Sequence, residues 1–380
     1  MNQTPKECIA LDVGGYNIRL CHMIVGKDGI PLVKKYFCDR FEPGAEVLKK
    51  YVDYIMSCQC PVYCTVPGHS VFTRCKTLPP VPEEKVEQII RYEVQEQIPF
   101  DLDQISLDHM ILEKLDGGGY GVLFAAIKRD VIAKHLNLLE AIASRVTVVN
   151  TSPLALFNWF SHLGEFSNND ERVAVINLGD ETIDIVIGQN ETFKFTRPLN
   201  VGGRSITAGI AEDLGIEFDK AEEVKHDPDK TWLSDPIVTT GTDGDVESQT
   251  ISAMKDIVEQ IKRTFAYFSS VPGGGQVDRI VLTGGGSTNA EISNYLYENL
   301  GLSVDIVDIF GDLNIESSEV NDFSNSSAVL GLALQGVNGV PLKINLLPES
   351  ITTPQKSTNQ VLKELVGTLI DLIVPDGDDS

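Results

Sequence analysis

The chain lacks long apolar segments and is poor in basic residues. No window approaches the roughly 20 consecutive apolar residues that a membrane-spanning helix needs, and the stretch MNQTPKECIALDVGG lacks the apolar core of a signal peptide. The 31 Lys and Arg residues are outnumbered by 55 Asp and Glu, which gives a net charge of −24. So acidic a protein is not expected to bind nucleic acid or to insert directly into an anionic membrane. We therefore expect a cytoplasmic protein that reaches a membrane only through another protein.

Cysteine is absent after residue 75, and all seven cysteines lie within the first 75 residues. Cys58, Cys60 and Cys64 lie close together, but no second pair at zinc-finger spacing and no nearby His-x-x-x-His accompanies them. Cys8, Cys21, Cys64 and Cys75 lie in or beside apolar, strand-like runs and are typical of small core residues. An odd number of cysteines suits free thiols in a reducing compartment. Buried free thiols are therefore favoured, and a metal site is the less favoured interpretation.

What the chain does contain is three glycine turns, each following an apolar strand. The segments are CIALDVGGYNIRLCHM (8–23), RVAVINLGDETIDIVI (172–187) and RIVLTGGGS (279–287). The first two predict β-hairpins. Glycine turns let backbone N–H groups approach phosphate oxygens closely, and Asp12 at the end of the first strand could order a hydrated divalent cation. For any single hairpin, turn geometry alone is the alternative reason for the glycines.

Between the first two turns, the hydrophobic spacing predicts a compact α+β insertion. The prolines of Pro79-Pro80-Val81-Pro82 break the chain and mark a domain boundary. A helix over 83–97 follows, with acidic residues in its first turn, and Ile98-Pro99-Phe100 ends it. Strands over 105–115 and 121–127 and a helix over 129–144 complete the insertion.

The order of these motifs resembles the PilM family of type IV pilus assembly proteins, within the actin-like ATPase superfamily. The matching segments are LPPVPEEKVEQIIRYEVQEQIPFDLDQISLDHMIL (78–112), NTSPLAL (150–156), TRPLNVGGRSITAGI (196–210) and AEEVK (221–225). FtsA and the cytoplasmic part of GspL share that fold, but the neighbourhood of Ile98-Pro99-Phe100 favours PilM. The resemblance implies an α/β, actin-like two-lobed ATPase fold with an inserted α+β subdomain.

The resemblance also implies how the chain is divided. The expected parts are a first lobe (1–78 and 150–170, with a return at 311–340), the inserted subdomain (79–149), the second lobe core (171–200 and 276–310), its smaller subdomain (201–275) and a C-terminal tail (341–380). Within the tail, residues 358–374 have the apolar spacing of a short amphipathic helix.

An ATP cleft between the lobes is implied in the same way. Gly14, Gly15 and Asn17 would face the β- and γ-phosphates, and the turn from Gly179 to Thr182 would close from the opposite lobe. Glu222 and Lys225, on one helix face, would contact the ribose and adenine, although a solvated ion pair is the alternative. The full set assigned to ATP and Mg²⁺, the latter held through water by Asp12, is Asp12, Gly14, Gly15, Tyr16, Asn17, Arg19, Asn177, Gly179, Asp180, Thr182, Gly202, Gly203, Glu222, Lys225, Gly284, Gly285, Gly286 and Ser287.

Two departures from the family pattern affect catalysis. The first turn usually has small hydroxyl residues and then a Lys, where this chain has Tyr16, Asn17 and Arg19; the arginine keeps the charge and can still bind phosphate. The second turn usually opens with Asp, and here it is Asn177. An amide is a poor proton acceptor, and a lost catalytic group typically costs ~10²–10⁴ in rate. We expect nucleotide binding with little or no turnover, and Asp12 is the one candidate catalytic residue.

The tail contains an unexpected motif, Ile344-Asn345-Leu346-Leu347-Pro348. It resembles the short N-terminal cytoplasmic motif of PilN, the membrane partner whose peptide docks between the first lobe and the inserted subdomain in this family. A chance strand ended by proline is the alternative for so short a match. We expect the tail to occupy this groove in its own or a neighbouring chain, or to be the remnant of a fused partner.

Taken together, the motifs predict an ATP-binding scaffold of a type IV pilus or related secretion machine. Its expected partners are a PilN-like membrane protein and other pilus inner-membrane proteins. One alternative is an FtsA-like cell-division protein that hydrolyses ATP or forms filaments. Another is a sugar-kinase-like phosphotransferase, for which no acidic base after a substrate loop is evident.

Overall fold

A computed structural model describes residues 7–41, 45–137, 140–168, 170–227, 230–233, 248–307, 314–315, 326–337 and 339–348. The expected amphipathic helix over 358–374 lies outside these residues, as does most of the expected return to the first lobe before residue 326. The chain divides into two compact units, one of Met1–Trp159, Asp312–Asn321 and Ala328–Ser380, the other of Phe160–Gly311 and Asp322–Ser327. The first division falls inside a helix, earlier than the expected position after residue 170.

In chain order the strands and helices are β1 (Glu7–Val13), β2 (Asn17–Val25), β3 (Pro31–Arg40), α1 (Ala45–Ser57), β4 (Val62–Val66), β5 (Phe72–Leu78), α2 (Val86–Gln97), β6 (Ile105–Lys114), β7 (Tyr120–Lys128), α3 (Arg129–Asn137), α4 (Glu140–Ala143), β8 (Val146–Thr151), α5 (Ser152–His162), β9 (Val173–Leu178), β10 (Ile183–Gln189), β11 (Thr192–Leu199), α6 (Gly203–Leu214), α7 (Phe218–His226), α8 (Gln249–Ser270), β12 (Arg279–Thr283), α9 (Ala290–Leu300), β13 (Ser303–Ile306), β14 (Asn314–Ile315) and α10 (Ser327–Val337).

The two units repeat one sheet topology. The first sheet has the order β14-β3-β2-β1-β4-β8 and the second has β11-β10-β9-β12-β13. In each, an antiparallel hairpin (β1–β2, β9–β10) is followed by a strand that pairs in parallel with the first strand of the hairpin (β4, β12). Parallel pairing requires a crossover, and the helices of each unit lie in the connections that provide it. Both predicted hairpins are therefore present, at equivalent positions of a repeated sheet.

The central strands are buried because their residues are apolar on both faces. Cys8 to Leu11 of β1 and Val173 to Ile176 of β9 are each at most 1% exposed. In the second unit, α8 covers the sheet with a helical-period stripe that includes Met254, Ile257 and Ile261. The turns at the ends of β1, β9 and β12 are thus fixed by rigid strands.

The inserted sheet has the order β5-β7-β6. Val86, Ile90 and Val94 form one face of α2 and pack in the core of this sheet. The boundary differs from the expected one. The strand before the prolines, β5, pairs with β7 along its whole length, so the inserted sheet begins at Phe72 and not after residue 78. The prolines end β5 because they cannot continue its hydrogen bonding.

Two further expectations concern the cysteines and membrane spanning. The seven cysteines are thiols outside any disulfide, and Cys8, Cys21 and Cys64 are buried, as expected of core thiols, but the expectation was wrong for Cys75, which is exposed. Among the described residues, no helix has the length and apolar character required to cross a bilayer.

Candidate functional site

The first glycine turn connects β1 to β2 at Gly14-Gly15. Gly14 N donates to Asn17 O at 2.9 Å, which closes the turn, and the Tyr16 carbonyl accepts from Phe41 N. The Tyr16 ring lies under the Arg40 guanidinium, 5.0 Å away. Gly15 is exposed at the tip. The predicted residues of this turn therefore lie together at one end of the first sheet.

Asp12, the candidate metal-ordering residue, is already bonded through both oxygens. Arg19 Nη1 donates to Asp12 Oδ2 at 3.1 Å, because register places the two residues opposite each other on β1 and β2. Thr65 Oγ1, from the neighbouring strand β4, donates to Asp12 Oδ1. Arg19 is 9% exposed, and its Nε has no acceptor among the described residues. The carboxylate is thus neutralised by a buried cation that retains one unused donor.

The second turn, after β9, contacts the N-terminus of α6. Gly179 N donates to Thr182 O, and the carbonyls of Gly179 and Asp180 accept from Gly203 N and Arg204 N. A Cβ on Gly202 would lie 2.4 Å from Asp180 O. Gly202 therefore permits close packing of α6 on the turn, which is an alternative to the predicted ligand contact.

Asp180 is also paired with an arginine. Arg204 Nη2 and Nε donate to Asp180 Oδ2 at 2.8 and 3.1 Å. The hydrogen bond to Asp180 raises the pKa of the Arg204 guanidinium above its ordinary value, and partial burial opposes this with a smaller effect. Like the first turn, the second turn therefore combines one carboxylate with one arginine.

The third turn, after β12, lies against the end of β9. Gly284 has φ +92, and a Cβ there would lie 2.5 Å from Leu178 O and 2.7 Å from Asn177 Oδ1. A Cβ on Gly286 would overlap the Leu178 side chain at 2.1 Å. These glycines are needed because β9 and β12 are parallel neighbours whose C-terminal turns meet. Gly285–Thr288 form a 3₁₀ turn in which Ser287 Oγ donates to Gly284 O.

Glu222 and Lys225 form a buried pair on α7. Lys225 Nζ lies 2.7 Å from Glu222 Oε2 and 2.7 Å from Thr207 Oγ1, and 3.4 Å from Gly203 O. Although burial opposes ionisation, His226, Lys225 and Thr207 lower the pKa of Glu222 to about 2. Lys225 is 4% exposed. The pair is therefore not a solvated surface bridge, and its contact with ribose and adenine stays a prediction.

The second unit thus brings most of its predicted residues into one cluster. The backbone of Gly203 joins the second turn to the ammonium of Lys225, and Asn289 Nδ2 donates to Lys225 O at 2.9 Å beside the third turn. The partners Thr65, Thr207 and Arg204 were missed from sequence. The sequence indicates only that a charged residue requires a partner. Strand register or helix packing determines which residue that partner is.

The tail motif lies along the free edge of β8, the last strand of the first sheet. Leu346 N donates to Val149 O at 2.6 Å. Asn345 Oδ1 accepts from Val149 N and Leu347 N, each at 3.0 Å, while its Nδ2 donates to Thr147 O at 3.2 Å. One asparagine side chain therefore takes the place of a strand neighbour for Val149.

The other side of the segment contacts the inserted sheet and the helices. Asn345 N donates to Asp108 Oδ2 of β6 at 2.7 Å. Gln335 Nε2 of α10 donates to Ile344 O at 3.1 Å, and Ile344 and Leu346 are 0% exposed. Further along, Asn158 of α5 exchanges two hydrogen bonds with the backbone of Leu342. The structure places the motif in its own chain, between β8 and β6.

The comparisons with known proteins match this architecture. The family model described as type IV pilus assembly protein PilM covers residues 33–337. The solved PilM-PilN type IV pilus biogenesis complex is similar over 88% of this chain and 100% of that chain, at 21% identity and a TM-score of 0.72.

Two further solved structures are more distant. A Bacteroides thetaiotaomicron protein with an actin-like ATPase fold has 10% identity and a TM-score of 0.45, over 86% of this chain and 97% of that chain. The cytoplasmic domain of EpsL, an inner-membrane component of the Vibrio cholerae type II secretion system, has 11% identity and a TM-score of 0.43, over 91% and 100%. With the repeated sheet of its two units and the extent of the family match, the chain has the actin-like fold and belongs to the PilM family of type IV pilus assembly proteins.

Proposed function

We propose that this protein is an ATP-binding scaffold of a type IV pilus assembly complex, held at the cytoplasmic face of the membrane by a PilN-like protein whose N-terminal peptide it binds. Membership of the PilM family and the similarity to a PilM-PilN complex support the assembly role. The single observation that carries peptide recognition is the docked Ile-Asn-Leu-Leu-Pro segment beside β8. It supports a groove complementary to this sequence.

A partner peptide with the same sequence would make the same contacts in trans. Its backbone would extend the first sheet at Val149, which is recognition by strand addition. Its asparagine would replace Asn345, and its first and third residues would fill the sites of Ile344 and Leu346. The chain's own segment and the partner peptide would then compete for one groove.

The glycine turns fit phosphate groups better than they fit a magnesium ion. The carboxylates of Asp12 and Asp180 are paired with Arg19 and Arg204, and Asn177 carries no charge. An ion that needs several oxygen ligands finds little free carboxylate at either turn, whereas the unused Arg19 Nε donor suits an anion. We infer that these turns bind nucleotide phosphates and support little turnover. Mg²⁺ ordered by Asp12 stays a prediction that this pairing opposes.

The test compares the full chain with one ending at Val340 and with a matched control ending at Pro348, which retains the docked segment. A labelled peptide that begins Ile-Asn-Leu-Leu-Pro is titrated by fluorescence anisotropy. A tethered segment acts at an effective concentration of roughly millimolar. For an intrinsic Kd of about 10 μM, self-occupancy would raise the apparent Kd about 100-fold.

We expect the chain ending at Val340 to bind the peptide at least about tenfold more tightly than both others. Circular dichroism and thermal unfolding would verify that it is folded. Equal affinity for all three folded chains would remove self-occupancy. No binding to the folded chain ending at Val340 would remove peptide recognition at this groove.

A further inference from the structure

A cluster of three metal-ligating side chains lies at one end of the first sheet, away from the turn between β1 and β2. Glu7 begins β1, His22 is on β2, and Cys60 precedes β4. Glu7 Oε1 lies 2.7 Å from His22 Nε2, and Cys60 Sγ lies 3.8 Å from the same nitrogen. One ligand atom from each residue lies within 4.8 Å of the other two.

The sheet register produces this convergence. Ile9 of β1 is opposite His22 of β2, and Ile9 N donates to Pro61 O at 3.0 Å. Side chains separated by up to 53 positions in sequence therefore meet at one point. The sequence motif Cys58-Gln59-Cys60 indicated no partner of this kind, because neither His22 nor Glu7 lies at metal-ligand spacing from it.

A hydrogen-bonded His and Glu pair is a common structural feature, so the thiol beside the same nitrogen is the informative observation. We propose that Glu7, His22 and Cys60 bind a single zinc ion. Carboxylate oxygen, imidazole nitrogen and thiolate sulfur are the three ligand types of protein zinc sites. Cys58, two positions from Cys60 and half-buried, is the candidate fourth ligand, with water as the alternative.

The surroundings of His22 are those expected of a metal-binding histidine. Tyr54 Oη lies 2.7 Å from His22 Nδ1, an outer-shell contact of the kind that orients a metal-bound imidazole through its second nitrogen. The ring is 1% exposed, and the neutral form of an imidazole is the one that binds a metal.

The Glu7 side is open and supplies an entry path. The Glu7 side chain is 43% exposed and pairs with Lys34, whose Nζ lies 3.0 Å from Glu7 Oε1. An exposed ion pair of this kind contributes little stability. Zinc would therefore displace Lys34 from Glu7 at small cost, and Lys34→Ala should bind zinc more tightly than the wild type.

The test uses the full chain, stripped with a chelator and titrated with zinc chloride against a chromophoric indicator. Wild type and Cys75→Ser, which removes an exposed thiol on β5 outside the cluster, should each bind one equivalent. Cys60→Ser and His22→Gln should weaken binding by more than the 10- to 100-fold expected for the outer-shell change Tyr54→Phe. Cobalt bound in place of zinc should show a thiolate charge-transfer band that Cys60→Ser abolishes.

A second readout protects against variants that fold poorly. Saturating zinc should raise the Tm of wild type and of Cys75→Ser, but not that of Cys60→Ser. The proposal is overturned if wild type binds no zinc, or if Cys60→Ser and His22→Gln change the zinc affinity less than twofold. Loss of binding only in Cys75→Ser would assign the metal to a different thiol and would also overturn it.

Discussion

The proposed competition for the β8 edge predicts that one substitution acts in opposite directions in the chain and in the partner peptide. In the chain, Asn345→Ala removes the bonds to Val149 N, Leu347 N and Thr147 O. Each is worth about 1 kcal/mol, and the buried Val149 N–H loses its acceptor, so the docked segment should lose about 3 kcal/mol. That corresponds to about a 100-fold shift towards a free groove.

The apparent affinity for the labelled peptide should therefore rise, to a limit set by the fully open groove. The same Asn to Ala change in the peptide, tested on the chain that ends at Val340, should lower the affinity by a similar factor. Lys343→Ala is the matched control, because Lys343 is exposed within the same segment. Asp108→Ala in the chain that ends at Val340 should weaken peptide binding, because the Asp108 carboxylate accepts a hydrogen bond from the Asn345 backbone N–H in the docked segment.

The assay is fluorescence anisotropy at constant salt, with stoichiometry from calorimetry. Competition for one groove is excluded if Asn345→Ala in the full chain leaves the peptide affinity equal to that of Lys343→Ala. It is also refuted if the peptide and chain substitutions change the affinity in the same direction, since one groove cannot then serve both segments.

Three further results are expected. In urea unfolding, Gly284→Ala should lower the free energy of unfolding by about 2 kcal/mol or more beyond the effect of Gly301→Ala. Both glycines have positive φ, but only at Gly284 does a backbone atom lie within 2.5 Å of the added Cβ. The pKa of Glu222 is about 2 in the folded protein and ordinarily 4.5, so the ionised group stabilises the fold above pH 4.5. This contribution to the free energy of unfolding, at most about 3 kcal/mol, should be lost between pH 4.5 and 2. Glu222→Gln should not show this loss over the same pH range. Purified protein should bind ATP in calorimetry with no steady phosphate release; steady hydrolysis that Asp12→Asn abolishes would contradict the expected lack of turnover.

The strands and turns could be predicted from sequence because their signals are local. An apolar run followed by glycine identified the ends of β1, β9 and β12, and the first two of these runs were predicted as the hairpins that the structure contains. The assignment of β5 to the inserted sheet could not be predicted, because proline indicates where a strand ends and not which strand it pairs with. Pairing partners are long-range choices that a single sequence does not encode locally.

The same limit applies to the site. Glu222 and Lys225 were assigned through the family resemblance and share one helix face, whereas Thr207, which bonds to both, belongs to a different helix. His22 and Cys60 were found to be neighbours only through the register of β1 with β2 and the adjacency of β4. Residue types could be listed from sequence, but their partners depended on tertiary packing.

The arginines paired with the turn carboxylates connect the nucleotide and assembly proposals. In a site where Mg²⁺ holds a triphosphate, the metal supplies positive charge and also positions the water for hydrolysis. The arginine at each turn, Arg19 in the first unit and Arg204 in the second, can supply positive charge to a phosphate at its own turn but cannot position a metal-bound water. A nucleotide held in this way would persist as a structural ligand that stabilises one conformation. The conformation of this protein would then change when a partner peptide replaces the chain's own segment at the β8 edge. The two segments have the same sequence and differ only in that one of them is tethered to the chain.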